Sequence, residues 1–178
     1  MRGYAIVSKT VCCLAMLLCT SSGMAAENMR LHGALVAEPC VIPPGEETVV
    51  LDFDTVIDKY LYLNTRTLGK RFDIHLADCD LNLGKTVRVT FNGMESNALP
   101  GLLALSGASQ ASGIAIGMET PEGTLLPLNQ AGKVQVLNNG STILTAQAYV
   151  QGEPEALKNR TIARGPFSAM ATFSLEYE

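Results

Sequence analysis

Apolar residues recur along this chain with a period of two rather than 3.6. Val49, Leu51 and Phe53 form one alternation; Phe72, Ile74 and Leu76 a second; Val87, Val89 and Phe91 a third; Ile114, Ile116 and Met118 a fourth. Two more occur between Leu144 and Val150 and in the C-terminal stretch. Gly, Pro and Asn cut the runs at intervals suited to short strands, so the pattern predicts an all-β domain. Residues Glu153 to Lys158 are expected to form one helical turn, because Pro154 suits a first helical position.

The two ends carry the most informative patterns. From Phe167 the chain alternates strictly, with Phe167, Ala169, Ala171, Phe173, Leu175 and Tyr177 on one face and Ser168, Thr172, Ser174 and Glu176 on the other. This strand runs to within one residue of Glu178, which leaves no sequence for a further strand to cover its apolar edge. Such an edge is an aggregation site unless another segment covers it. At the other end Met29, Leu31, Gly33 and Leu35 alternate with Arg30, His32 and Ala34, ahead of the body of the domain. A glycine in a strand usually marks close backbone approach or a bulge. One strand too few and one to spare are reconciled if each copy's N-terminal segment completes the next, a head-to-tail assembly that does not close and therefore forms a fibre.

The first residues read as an export signal rather than as structure. Arg2 and Lys9 precede an apolar run from Val11 to Leu18, then the small polar stretch Thr20 to Gly23; cleavage after Ala25 places Gly23 and Ala25 at the two small-residue positions. The apolar run is shorter than the roughly 20 residues a bilayer span needs. Leu18 before Cys19 argues against a lipid anchor. The organisation expected is 1–25 signal peptide, 26–37 N-terminal extension and 38–178 folded domain.

Removing that segment also removes Cys12, Cys13 and Cys19, so Cys40 and Cys79 remain. In an exported chain the default for an even count is a disulfide. Closing 39 positions should stabilise the fold by about 3–4 kcal/mol in the chain-entropy model. Without Arg2 and Lys9 there are 11 basic against 17 acidic residues, net −6, which disfavours nucleic acid as a partner. No catalytic, metal or cofactor site is expected. His32 and His75 lack partners at ligand spacing. Asp52 and Asp54 read as a solvated strand face, and Ser106, Ser109 and Ser112 as loop residues without a nucleophile elbow.

Several local motifs together resemble the pilin family of chaperone–usher fimbriae, over nearly all of the chain after the signal. His32-Gly33 followed by Pro39-Cys40 is similar to the family's donor segment and first cysteine, and Leu76-Ala77-Asp78-Cys79 to its second-cysteine motif. Gly113-Ile114-Ala115-Ile116, then Gly123 and Leu126-Pro127-Leu128, resembles its central region. Gly165, fourteenth from the end, and the penultimate Tyr177 match its C-terminal signature. The segment Pro154-Glu155-Ala156-Leu157 and the ending look most like the P-pilus tip adaptor and related minor pilins.

The resemblance implies an incomplete immunoglobulin-like β-sandwich lacking its C-terminal strand and completed by donor-strand complementation. It implies a structural minor subunit that is not an enzyme, exported through the periplasm to an extracellular fimbrium. The partners it implies are a periplasmic chaperone, an outer-membrane usher and neighbouring pilins, with no small-molecule substrate. Met29, Leu31, Gly33 and Leu35 would be the donor strand. Gly165, Phe167, Ala169, Ala171, Phe173, Leu175, Tyr177 and Glu178 would line the groove that the chaperone or a donor fills, the Glu178 carboxylate meeting basic residues of the chaperone. A base or terminator subunit and a tip adhesin are the competing readings; the stretch ahead of Cys40 is too short for an added lectin domain.

Overall fold

The computed structural model describes residues 32–178; the expected signal segment and the donor positions Met29 and Leu31 lie outside the described residues. Residues from Val36 onward form one compact unit. In chain order its elements are α1 (Asp58–Asn64), β1 (Lys70–Cys79), β2 (Thr86–Asn92), β3 (Ile114–Glu119), β4 (Gln135–Val136), β5 (Gly140–Gly152), α2 (Pro154–Asn159) and β6 (Thr172–Tyr177).

Two antiparallel sheets, β1-β5-β3 and β4-β2-β6, make a sandwich. The period-two pattern fixes the register, since a one-residue slip would turn each apolar set to solvent. Thus Ile74 lies opposite Leu144, Ile116 opposite Val150, and Val89 opposite Leu175. Their inward side chains form one core that includes Ile74, Leu76, Val87, Phe91, Leu144 and Val150. Phe72 from one sheet meets Phe91 of the other edge-on, with ring centroids 6.0 Å apart. The Cys40–Cys79 disulfide forms as expected, with both residues in this core.

β3 is buried on both faces, because Leu99 and Leu102 cover Ala115 and Tyr149 on its outer side. Gly117 is required there: a Cβ would stand 2.1 Å from the Tyr149 ring, which lies directly over the strand. The Arg66 guanidinium stacks 3.9 Å from the centre of that ring and donates two hydrogen bonds to the buried Glu119, at 2.8 and 2.9 Å. Helix α2 occupies the expected turn, with Pro154 in its first turn and Arg160 ending it in the left-handed conformation.

Two expectations are corrected. Of the alternation Val49, Leu51, Phe53 expected as a strand, Leu51 and Phe53 pack against the core while Val49 is exposed, and the segment joins no ladder and is not a strand. The C-terminal stretch does have a partner in its own chain, because β2 pairs along one edge of β6. Only the other edge is unpaired among the described residues. Helix α1 was not anticipated.

Candidate functional site: an open groove between two unladdered walls

Phe173, Leu175 and Tyr177 point to the same face as Phe91, Val89 and Val87, their partners on β2. Those partners are 5%, 8% and 0% exposed, while the three β6 residues are only half-buried. One strand further out, the same face is left partly uncovered. The alternation continues backward through Ala171, Ala169 and Phe167, which are likewise half-buried and packed on the core, while Ser168 and Met170 face solvent.

The inner edge of this wall is held fast along its length. Ahead of β6, Gln110 and Ala111 donate their N–H groups to the Pro166 carbonyl at 2.9 and 3.3 Å, and Ser106 N–H donates to Ser168 O at 2.8 Å. The Ser109 hydroxyl accepts from Ser168 N–H and donates to Ser168 O, both at 3.1 Å. Ser109, expected as a plain loop residue, therefore pins the wall. Gly165 makes the close approach possible: its φ of +150° is essentially a glycine conformation, and a Cβ would sit 2.6 Å from Cβ of Gln110.

Facing this wall is the segment 48–57, which has no regular secondary structure and turns at Asp54, where φ is +54°. Leu51, Phe53 and Val56 turn to the core and Asp52 and Asp54 to solvent, where Asp54 pairs with Lys70 at 2.8 Å. Phe53 meets Phe167 across the floor with ring centroids 6.2 Å apart. No backbone hydrogen bond joins the two walls. They are two edges with apolar floors and no ladder between them, the arrangement a single inserted strand satisfies on both sides.

At the α1 end the groove opens into a pocket of about 170 Å³ lined by Val56, Leu61, Ala111, Ile114, Ile162 and Phe167. At the other end Glu178 is tied down, its carbonyl oxygen accepting from the N–H groups of Lys85 and Thr86 at 2.8 and 3.0 Å and its side chain pairing with Arg88 at 3.1 Å. Pro39 stands beside the same place, since a Cβ on Gly84 would be 2.6 Å from Pro39 Cγ and 3.4 Å from Glu178 O. The chain thus enters the domain at the Tyr177 end of the groove. Burial pushes the Tyr177 phenol up, and the charge of Glu38 adds to the shift.

Of the expected site residues, Phe167, Ala169, Ala171, Phe173, Leu175 and Tyr177 come together on one half-buried face, Gly165 lies against Gln110 just ahead of it, Glu178 turns its side chain to Arg88 instead, and Cys40 joins Cys79 as a disulfide. Gly33 and Leu35 are exposed and in no strand. His75 pairs with Glu46 at 2.6 Å on the surface. The larger cavity, about 370 Å³, opens on the β4 side near Lys133 and Ile143 and shares no residue with either wall. Every buried polar side-chain atom among the described residues has a partner. No described helix is long and apolar enough to cross a membrane.

The family model for fimbrial protein matches residues 29–178. The chain is 31% identical to the minor fimbrial subunit PmfF of Proteus mirabilis, with 97% of this chain and 98% of the relative covered. It is 31% identical to the fimbrial adapter PapK of Escherichia coli, covering 95% and 98%, and 32% identical to the fimbria A protein of Serratia marcescens, covering 85% and 84%. In fold it is similar to the P pilus rod subunit PapA, with a TM-score of 0.68 at 24% identity, covering 79% of this chain and all of that one. A chaperone–usher pilus structure gives 0.67 at 23% identity, covering 87% and 97%.

Proposed function

Because the chain belongs to the fimbrial protein family, we propose that it is a minor structural subunit of a chaperone–usher fimbria, polymerised by donor-strand exchange. The observation that carries this is the groove: the alternating apolar wall 167–177 and, across it, the segment 48–57 with Leu51, Phe53 and Val56 on the core, each with one edge unladdered. In this reading a periplasmic chaperone first fills the groove, an outer-membrane usher receives the complex, and a neighbouring subunit's N-terminal segment then replaces the chaperone's strand. Residues 1–25 serve as the export signal, and 26–37, with Met29, Leu31, Gly33 and Leu35 on one face, are this subunit's donor. No catalytic step is required, since the better-packed product drives the exchange.

Connectivity supports donation to a neighbour over self-completion. The extension enters the domain beside Glu178, at the end where β6 finishes. Folded back into its own groove it would run parallel to β6. A neighbour's segment is free to lie antiparallel, the slightly more stable pairing.

Within the fibre we assign an adaptor or linking position. The open pocket at the α1 end leaves the groove able to accept a donor, which disfavours a terminator, and the likeness to a fimbrial adapter points the same way. The test is deletion of 26–37: the truncated subunit should fold and be recovered with a chaperone but fail to enter fibres. Normal polymerisation of that variant, or a full-length subunit that is a stable monomer without any chaperone, would overturn the reading.

A further inference from the structure

Sheet β1-β5-β3 has a step in one edge. β5 runs from Gly140 to Gly152, but β3 pairs only with its residues 147–152, ending at Glu119 opposite Gln147. After Glu119 the chain turns back through residues 120–124 to the other side of β3, where Leu125 bridges Glu119. The first half of β5 therefore has β1 on one side and, among the described residues, no strand on the other. Its neighbours fix which groups are left open. Thr67 N–H donates to Val150 O at 2.8 Å on the β1 side, and Glu153 N–H to Gly113 O at 2.9 Å on the β3 side. Even-numbered residues thus turn their peptide groups to β1, and Ser141, Ile143 and Thr145 turn theirs, unladdered, to the open side.

Nothing in the sequence blunts this stretch. Exposed edges are commonly kept from pairing by charges or proline, and the outer strand at the other edge of the same sheet, β1, carries Lys70, Arg71 and Asp73. Residues 140–147, Gly-Ser-Thr-Ile-Leu-Thr-Ala-Gln, hold no charge and no proline. Ile143, at the middle of the open groups, is 60% exposed. The cavity of about 370 Å³ opens beside this edge, with Val134 and Gln135 across it and one cation and one anion, Lys133 and Glu122, in its lining. An occupant therefore has to bring a bare strand edge, an uncharged run and both signs of charge. A second copy of the same edge brings all three, in the reciprocal arrangement a twofold contact requires.

We propose that residues 141–145 of β5 pair antiparallel with the same residues of a second copy, joining two subunits side by side about a twofold axis. Only the register centred on Ile143 uses all three open residues: Ile143 faces the partner's Ile143, and Ser141 faces the partner's Thr145. These are an aliphatic pair and two hydroxyl pairs, both favourable between neighbouring strands. The Thr145 hydroxyl donates to Asp73 at 2.6 Å and so is left to accept from the partner's Ser141. The contact lies on the β4 side, and β4 and β6 are opposite edges of their sheet. The groove along β6 stays free, so the pairing does not rest on the donor-strand reading.

The experiment is oxidative cross-linking of the full chain as it is recovered, read on a denaturing gel without reductant. Hydrogen-bonded antiparallel pairs have Cα atoms about 5.5 Å apart, inside the roughly 4.4–6.8 Å that a disulfide spans. Ile143→Cys should therefore form a covalent dimer by itself. Ser141→Cys and Thr145→Cys should each form little alone, since four residues, about 14 Å of strand, separate each from its own copy. Mixed together they should give several-fold more. Adding Ile143→Lys to both members of the mixture should remove that gain. Leu63→Cys, 83% exposed on α1, controls for chance collision. Equal yields at positions 63 and 143, or a mixture no better than its components, overturn the pairing. If no variant cross-links, the second copy is refuted, and capture of a synthetic peptide of residues 140–147 would then give the edge to a foreign strand.

Discussion

Gly165 lies against Gln110 so closely that a Cβ on the glycine would be 2.6 Å from the glutamine's own Cβ, with the backbone at a φ of +150°. Two demands therefore converge on one position, a conformation that side chains resist and a gap that has no room for one. Gly165→Ala should cost about 1–3 kcal/mol in backbone strain alone, and it should loosen the bonds from Gln110 and Ala111 to Pro166. Thermal melting should fall by several degrees, at about 2–4 °C per kcal/mol for a chain of this size. Uptake of a donor peptide should weaken in parallel, because the displaced segment is the groove wall.

A second prediction concerns Arg66 and Glu119. The Glu119 side chain is 4% exposed and held by a two-bonded guanidinium that is itself 38% exposed and stacked on Tyr149. Removing one partner of a buried pair costs about 3–5 kcal/mol, and the partial exposure of Arg66 places this case near the lower end. Arg66→Met should therefore destabilise strongly. The double variant Arg66→Met with Glu119→Leu should recover most of the loss, since no uncompensated charge remains. Chemical denaturation of the single and double variants measures the difference, and a double variant no better than the single would refute the account.

These two sites also mark what the sequence could and could not convey. Strands β1, β2, β3, β5 and β6 were legible because their apolar residues alternate over five or more positions. Strand β4, with two exposed residues, is too short to leave a pattern. Helix α1 was missed for a physical reason. Its residue before the first turn, Ile57, offers no capping side chain, and the helix is held instead by tertiary burial of Leu61. The stretch Val49 to Phe53 has the right alternation but no ladder, since on the reading advanced above its neighbour comes from another chain. Arg66 with Glu119 and Asp58 with Arg164 join positions 53 and 106 apart, which no local pattern announces.

Tyr177 supplies a pH dependence. Burial raises its phenol above the ordinary value of about 10. The unfolded chain then loses the proton first, so above about pH 10 the folded state binds more protons and stability falls as pH rises. Below that range the phenol is neutral in both states and contributes no slope. Replacing Tyr177 with Phe should flatten its share of the decline, read as the change in unfolding free energy between neutral and alkaline pH. A filled groove buries the ring further and should move its absorbance titration upward again. Identical alkaline titrations with the groove open and filled would contradict the placement of Tyr177 on the groove wall.

The groove's polarity makes the last prediction. Since β6 ends beside the domain's entry point, a segment appended after Glu178 through a short turn of Gly and Asn would run back antiparallel to β6, between the two walls. Appending residues 29–35 there puts Met29, Leu31 and Leu35 on one face, with Gly33 between them. Each buried apolar side chain contributes about 1.5–3 kcal/mol, partly offset by the entropy of ordering the segment. The appended protein should be a monomer without a chaperone, melt about 10 °C or more above the parent, and refuse added donor peptide. A control tail of the same composition in scrambled order loses the alternation and should give none of these effects. If the two tails stabilise equally, the groove does not read strand pattern, and the free edge of β6 has some other use.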